Sequence, residues 1–384
     1  MSSRLLTTVM QHDDKNVQKI TATMKNSSTN ALLTVIDDFL PLMLMETNLR
    51  YGNFHLVKMG LFLRKYAQEQ YFSRPTIFLL IRLLSLEMLN RQWMPVQAKL
   101  LGRGSYEDAP CTLEEMFHAL EHHNVHNALY YGVRLLKNQP EACLHSLFLT
   151  GAASIPDTLG HSISCFFPVA EDLLFTPHKD TNTALLSYLM YVSRFDISPK
   201  TWQEVKAQSK PLTQLETPSD LLKRAASGAG IVNLHHMITF YILTAWEEAA
   251  FNPERRVPYF LLIDWMAGKE IDQEREIAVA EMSPPPKLPE DYEAFEKRFS
   301  LEHLDDTLAS VFALLDQFPD RTIDWLFRKY ASLYDPETWN PHYYTSLYAA
   351  LQLYLGEQLS DKVACRMAVD QALRYFADGL ASPQ

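Results

Sequence analysis

From Ala31 onward, apolar residues recur at three- and four-residue spacing in one segment after another. This period constrains the chain more than any other feature, because it specifies amphipathic helices and cannot be laid out as a half-buried strand. It predicts helices over 31–46, 53–70, 76–91, 112–121, 125–138, 141–153, 159–175, 181–194, 218–227, 231–250, 256–267, 289–299, 301–317, 320–333, 342–356 and 360–378. Turn chemistry separates them: Asn138-Gln139-Pro140, Ile155-Pro156-Asp157, Thr176-Pro177 and Asn252-Pro253 each place a proline where one helix ends or the next begins. Thr112 followed by Glu115 has the spacing of a capping box. Alternating β-branched runs closed by Asn-Gly or Asp-Gly are lacking.

The fold class read from this pattern is all-α, with antiparallel helical hairpins stacked as a solenoid or a multi-helix bundle. Two stretches look alike. Thr112–Ala153 runs short helix, break, His-bearing helix, proline, apolar helix, and Pro218–Gly268 repeats that order around Gly228-Ala229-Gly230 and Pro253. Residues 1–30 are polar and expected to be frayed or weakly helical. Residues 31–281 form the main domain, and Met282-Ser283-Pro284-Pro285-Pro286 begins a stiff crossover over 282–288. A C-terminal helical bundle over 289–384 is expected to pack on the main domain. The interval 196–217 is the least helical.

Composition narrows the function classes. With 12 glycines in 384 residues, the chain lacks the glycine-rich turns that doubly wound nucleotide-binding folds need. Gly102-Arg103-Gly104-Ser105 has no third glycine and no preceding strand, and neither a phosphate loop nor a GxSxG elbow occurs. A net charge of −11 without a dense Lys/Arg run has the wrong sign for nucleic acid. IFLLIRLLSLEML is broken by Arg82 and Glu87, and MITFYILTAW is too short for a membrane span. The N-terminus has no apolar core of signal-peptide length. Cys111, Cys143, Cys165 and Cys365 are scattered without a CxxC pair, so reduced thiols and a cytoplasmic protein are expected.

Histidine is where chemistry points. Of 13, several open strongly apolar helices: His55, His145, His161, His235 with His236, and His342. Helices that start side by side would bring such rings to one end of the core, where imidazoles serve as metal ligands or as acid–base groups near neutral pH. Taken singly, a helix-start histidine more often bonds a loose backbone group. The candidates singled out as catalytic are His161, His235, His236, His55 and His145. His161, Ser164, Cys165, Pro168 and Asp172 form a small polar face opposite Ile163, Phe166, Phe167, Ala170 and Leu174, a face that lines a cavity or meets solvent. His118, His122 and His126 share a four-residue spacing, but Glu121-His122-His123-Asn124 reads as a turn, and a solvated turn is preferred to a zinc site.

PEACLHSLFLTGAASIPDTLGHSISCFFPVAEDLL, with NFHLVKMGLFLRKYA before it and NLHHMITFYILTAWEEA after it, resembles the questin oxidase-like family over residues 30–355. Gly160-His161, His55 and His235 or His236 stand where that all-helical family carries isolated histidines. The same pattern is similar to helical modules that accompany Rieske-type oxygenase components. The resemblance implies an oxidoreductase or oxygenase acting on an aromatic, polyketide-like small molecule, with NADPH or iron as candidate cofactors. No nucleotide-binding fingerprint and no two-His-one-carboxylate spacing accompany it. A protein partner or homo-oligomer is compatible with the same pattern. The competing reading is a non-catalytic helical scaffold whose histidine-led helices cap and pack.

Overall fold

A computed structural model describes residues 2–44, 55–89, 91, 111–166, 170, 181–193, 217–249, 256–283, 304–337, 339–356 and 359–381. The helices are α1 (Ser2–Met10), α2 (Asp14–Thr23), α3 (Thr29–Leu44), α4 (His55–Gln68), α5 (Arg74–Leu89), α6 (Leu113–Glu121), α7 (Val125–Asn138), α8 (Pro140–Ala152), α9 (Ile155–Thr158), α10 (His161–Ser164), α11 (Thr181–Val192), α12 (Pro218–Ala225), α13 (Ile231–Ala249), α14 (Arg256–Trp265), α15 (Gln273–Glu281), α16 (Leu304–Gln317), α17 (Pro319–Ser332), α18 (His342–Leu355) and α19 (Lys362–Ala381). A single 3₁₀ turn, Met24–Asn26, follows α2. There is no strand among the described residues, so the protein is all-α.

Local chemistry sets the helix ends. The Thr112 side chain accepts from the Glu115 amide while the Glu115 carboxylate accepts from the Thr112 amide, the reciprocal box expected from that spacing. Proline stands in the first turn of α8, α12 and α17, where its missing N–H would have no helical partner anyway.

Successive hairpins are present, as in α6 against α7 and α18 against α19, yet the chain also folds back on itself. Helix α18 packs on α4 and α13, α17 packs on α5, and α19 packs on α12 and α15. One buried apolar cluster accordingly runs from Leu5 to Phe376.

Of the two states expected for residues 1–30, frayed or weakly helical, the described residues take the helical one. They form α1, α2 and the 3₁₀ turn, which bury Leu5, Val9, Val17, Ile20 and Met24, and both helices pack on α5. Their mean composition is polar, but the few apolar residues fall at helical spacing, and a narrow stripe is enough to dock a short helix. Asp13 caps α2 by accepting from the Asn16 amide. Helix α15 also escaped the apolar period, because Val279 is its only fully buried side chain; Asp272 caps it. The proline run from Pro284, the helix expected at 289–299, the interval 196–216 and the Gly102 loop lie outside the described residues.

Candidate metal centre

Four helices deliver one imidazole each to a common point. His55, His161 and His342 are the first residues of α4, α10 and α18, and His235 lies one turn into α13. The packing of α18 on α4 and α13, and of α10 on α13, brings these ends together. Ring centroids lie 4.6 Å apart for His55–His161, 4.3 Å for His161–His235, 4.6 Å for His235–His342 and 4.4 Å for His342–His55. The quartet is a closed circuit, with His161 and His342 5.8 Å apart across it. One ring nitrogen from each of His55, His161 and His342 lies within 4.8 Å of the others, close enough for a single ion to bridge.

The backbone around His161 explains its aim. The helix expected over 159–175 is broken at its start: Leu159 (φ 52°) and Gly160 (φ 73°) both take left-handed conformations between α9 and α10. A Cβ on Gly160 would stand 2.2 Å from the Thr239 hydroxyl of α13, so only glycine permits this approach. The polar face expected to carry His161, Ser164 and Cys165 is buried, so it meets protein and not solvent. Pro168 and Asp172 lie outside the described residues.

Hydrogen bonds fix two of the rings. His161 Nδ1 lies 2.7 Å from the Thr158 carbonyl, and His342 Nδ1 lies 2.6 Å from Asn340 Oδ1. Both acceptors require the proton on Nδ1, which leaves an unprotonated Nε2 with its lone pair free. Asn340 is held in turn: its Oδ1 also accepts from the His342 amide at 3.0 Å, and its Nδ2 donates to the Tyr375 hydroxyl at 2.9 Å. Outer partners of this type orient metal-binding histidines.

The free nitrogens carry the argument. His55 Nδ1, His161 Nε2, both nitrogens of His235 and His342 Nε2 are buried without a hydrogen-bond partner among the described residues. An unsatisfied buried polar group costs about 1–3 kcal/mol, and gathering five at one point has no packing rationale. A single cation can take one lone pair from each ring, whereas the second His235 nitrogen carries the ring proton and stays outside that set.

Electrostatics favour the ligand form. Burial above all pushes the pKa of His55, His235 and His342 well below the ordinary histidine value, and neighbouring rings and Lys58 add to it. Burial, with Lys58 second, pushes His161 down to about 3. All four rings are therefore neutral near pH 7, as a nitrogen ligand must be. Lys58 stands one turn after His55 on α4 and is only 1% exposed; burial lowers its pKa, against a hydrogen bond to the Cys165 side chain. A turn further along α4, Phe62 stacks on Tyr348 of α18 at 4.0 Å, closing the core beside the rings with an aromatic layer.

Of the five histidines singled out in the sequence, the structure brings together His55, His161 and His235. His236 turns the other way: its ring meets Trp265 edge-on at 4.3 Å, and its Nδ1 lies 3.2 Å from Lys269 Nζ. His145, on α8, is half-buried and outside the converging quartet. His342 takes the fourth place. Its signal was in the sequence, where Asn340-Pro341-His342 opens an apolar helix as the others do. Lys58 carried no signal, since a lysine after an apolar run reads as a solvated helix position. The turn at His118–His126 is exposed, as expected.

In comparisons with protein-family models, with curated proteins and with solved structures, nothing matches this chain. The site must be argued from its own geometry.

Proposed function

We propose that this chain is a metal-dependent oxidoreductase acting on a small aromatic, polyketide-like molecule, its metal held by His55, His161 and His342 with His235 packed beside them. The observation that carries the reading is the convergence of four buried imidazoles from four separate helices, each with an unpartnered ring nitrogen. The donor set supports a first-row divalent metal, because imidazole nitrogen suits iron, copper and zinc. The resemblance to questin oxidase-like proteins implies oxidative chemistry with NADPH or iron, and of these two the cluster of imidazoles suits iron. Such an ion, when bound, supplies redox and Lewis-acid chemistry to a substrate oxygen.

The chain's own residues do the rest. Thr158 and Asn340 hold two rings with their free nitrogens directed inward. The aromatic and aliphatic core excludes water, which strengthens every charge interaction at the point of convergence. Neutral imidazole ligands leave the ion's positive charge uncompensated, so the site favours a substrate that binds through an anionic oxygen, such as a phenolate. A scaffold would bond each imidazole within its own helix, and the unpartnered nitrogens speak against that reading.

Metal analysis of the purified full-length protein tests the proposal. About one equivalent of iron or copper per chain is expected, with oxygen uptake on addition of hydroxylated aromatics and loss of both in His161→Ala. A folded protein that takes up none of Fe(II), Cu(II), Zn(II) or Mn(II) would sink it.

A further inference from the structure

A cavity lies away from the histidines, between α2, the 3₁₀ turn and α5. It has a volume of about 650 Å³, and none of its lining residues belongs to the quartet. Pro75, Phe78, Leu79 and Arg82 recur at helical spacing and present one face of α5; Gln18, Thr21, Ala22 and Lys25 do the same from the opposite wall. Arg74 Nη1 donates to the Lys25 carbonyl at 3.1 Å, so the end of the α2 segment stands beside the start of α5. Lys25, Asn26 and Arg74 therefore share one end of the cavity. Arg82 stands two turns further along α5, roughly 12 Å away by helix rise.

The charge of this cavity is out of keeping with the molecule. The chain carries a net −11, yet among the described residues three cationic side chains line the cavity and no carboxylate does. None of the three forms an ion pair among the described residues. Two carboxylates near its rim are already engaged, Asp14 by the Gln18 side chain at 2.9 Å and Asp324 by the Ser73 amide at 2.7 Å. Unpaired like charges beside an apolar wall repel one another and gain most from an anion that also covers the wall. We infer that this cavity binds an elongated amphipathic organic anion, with its acidic head between Lys25, Asn26 and Arg74 and its apolar body along Ala22, Phe78 and Leu79.

Decanoate is a suitable probe, titrated calorimetrically into the full-length protein. Saturable one-to-one binding is expected, weakened about tenfold or more in Arg74→Glu and in Lys25→Ala/Arg74→Ala. Both variants change exposed side chains, and far-UV circular dichroism together with unchanged metal content shows that fold and quartet persist. Decyltrimethylammonium and inorganic phosphate, which supply the chain without the negative head and the anion without the chain, are expected to bind at least about tenfold more weakly than decanoate. Affinity unchanged in both variants, or decanoate matched by either control compound, overturns the assignment.

Discussion

Two regions of the molecule are rich in histidine, and they share little else. His118, His122, His123 and His126 are close in sequence, and the rings of His118 and His122 lie 4.2 Å apart. Yet the His118 side chain is 70% exposed, its Nδ1 lies 3.9 Å from a Glu121 oxygen, and His123 Nδ1 is bonded to the Ser193 carbonyl. Water and local partners satisfy these rings. His55, His161, His235 and His342 are far apart in sequence, equally close in space, and sealed from water with free nitrogens. Ring proximity alone does not make a site. Burial with oriented, unsatisfied lone pairs does.

That contrast can be broken by substitution. His161→Ala is expected to have the largest effect, lowering metal affinity by more than about a hundredfold and abolishing turnover, with the helical content kept. The same measurements on His118→Ala/His122→Ala should show wild-type metal content. If the exposed pair proves the more damaging, the quartet is not the metal site.

Asn340→Leu comes next. It leaves every proposed ligand in place but removes the acceptor that fixes the His342 tautomer, so metal affinity should fall about 10–100-fold in a competition titration with a chelator. Gly160→Ala sharpens the same point from the backbone side. A left-handed φ and a 2.2 Å approach to Thr239 resist any Cβ, and the variant should lose more than about 1 kcal/mol in urea unfolding. A metal-loaded Gly160→Ala protein of wild-type stability would show that this turn does not position His161.

The last effect is in pH, and no single substitution carries all of it. In metal-free protein His161 has its pKa pushed down to about 3, against about 6.5 in the unfolded chain. Between those values the unfolded state binds more protons than the native state. The stabilisation is full above about pH 6.5 and is lost as pH falls towards 3, at up to about 1.4 kcal/mol per unit for one such group. Unfolding midpoints followed from about pH 7 to pH 4 should show this slope in His118→Ala/His122→Ala and a shallower one in His161→Asn.

Much of this molecule could be read residue by residue. The apolar period, the prolines at helix starts and the Thr112–Glu115 box specify nearly every described helix, because they act within a few residues of one another. Besides the one-turn helix α9, which falls in the break read at Ile155-Pro156-Asp157, three helices share one cause for being missed. In α1, α2 and α15 the buried stripe is so thin that composition hides it, and only the docking partner (α5 for the first two, α19 for the third) reveals that it is used.

The site was half legible. That helix-leading histidines matter followed from their setting, but which ones meet did not. His235 and His236 sit in the same apolar run, and helical phase alone sends one ring to the quartet and its neighbour to Trp265 and Lys269. His342 and Lys58 were settled by packing between α4 and α18, from opposite ends of the chain. The sequence by itself determined an all-helical chain with histidines at helix starts, since propensity, capping and periodicity are local. Only the tertiary structure decided which rings converge, because that depends on helix packing and rotation, which no short window of residues encodes.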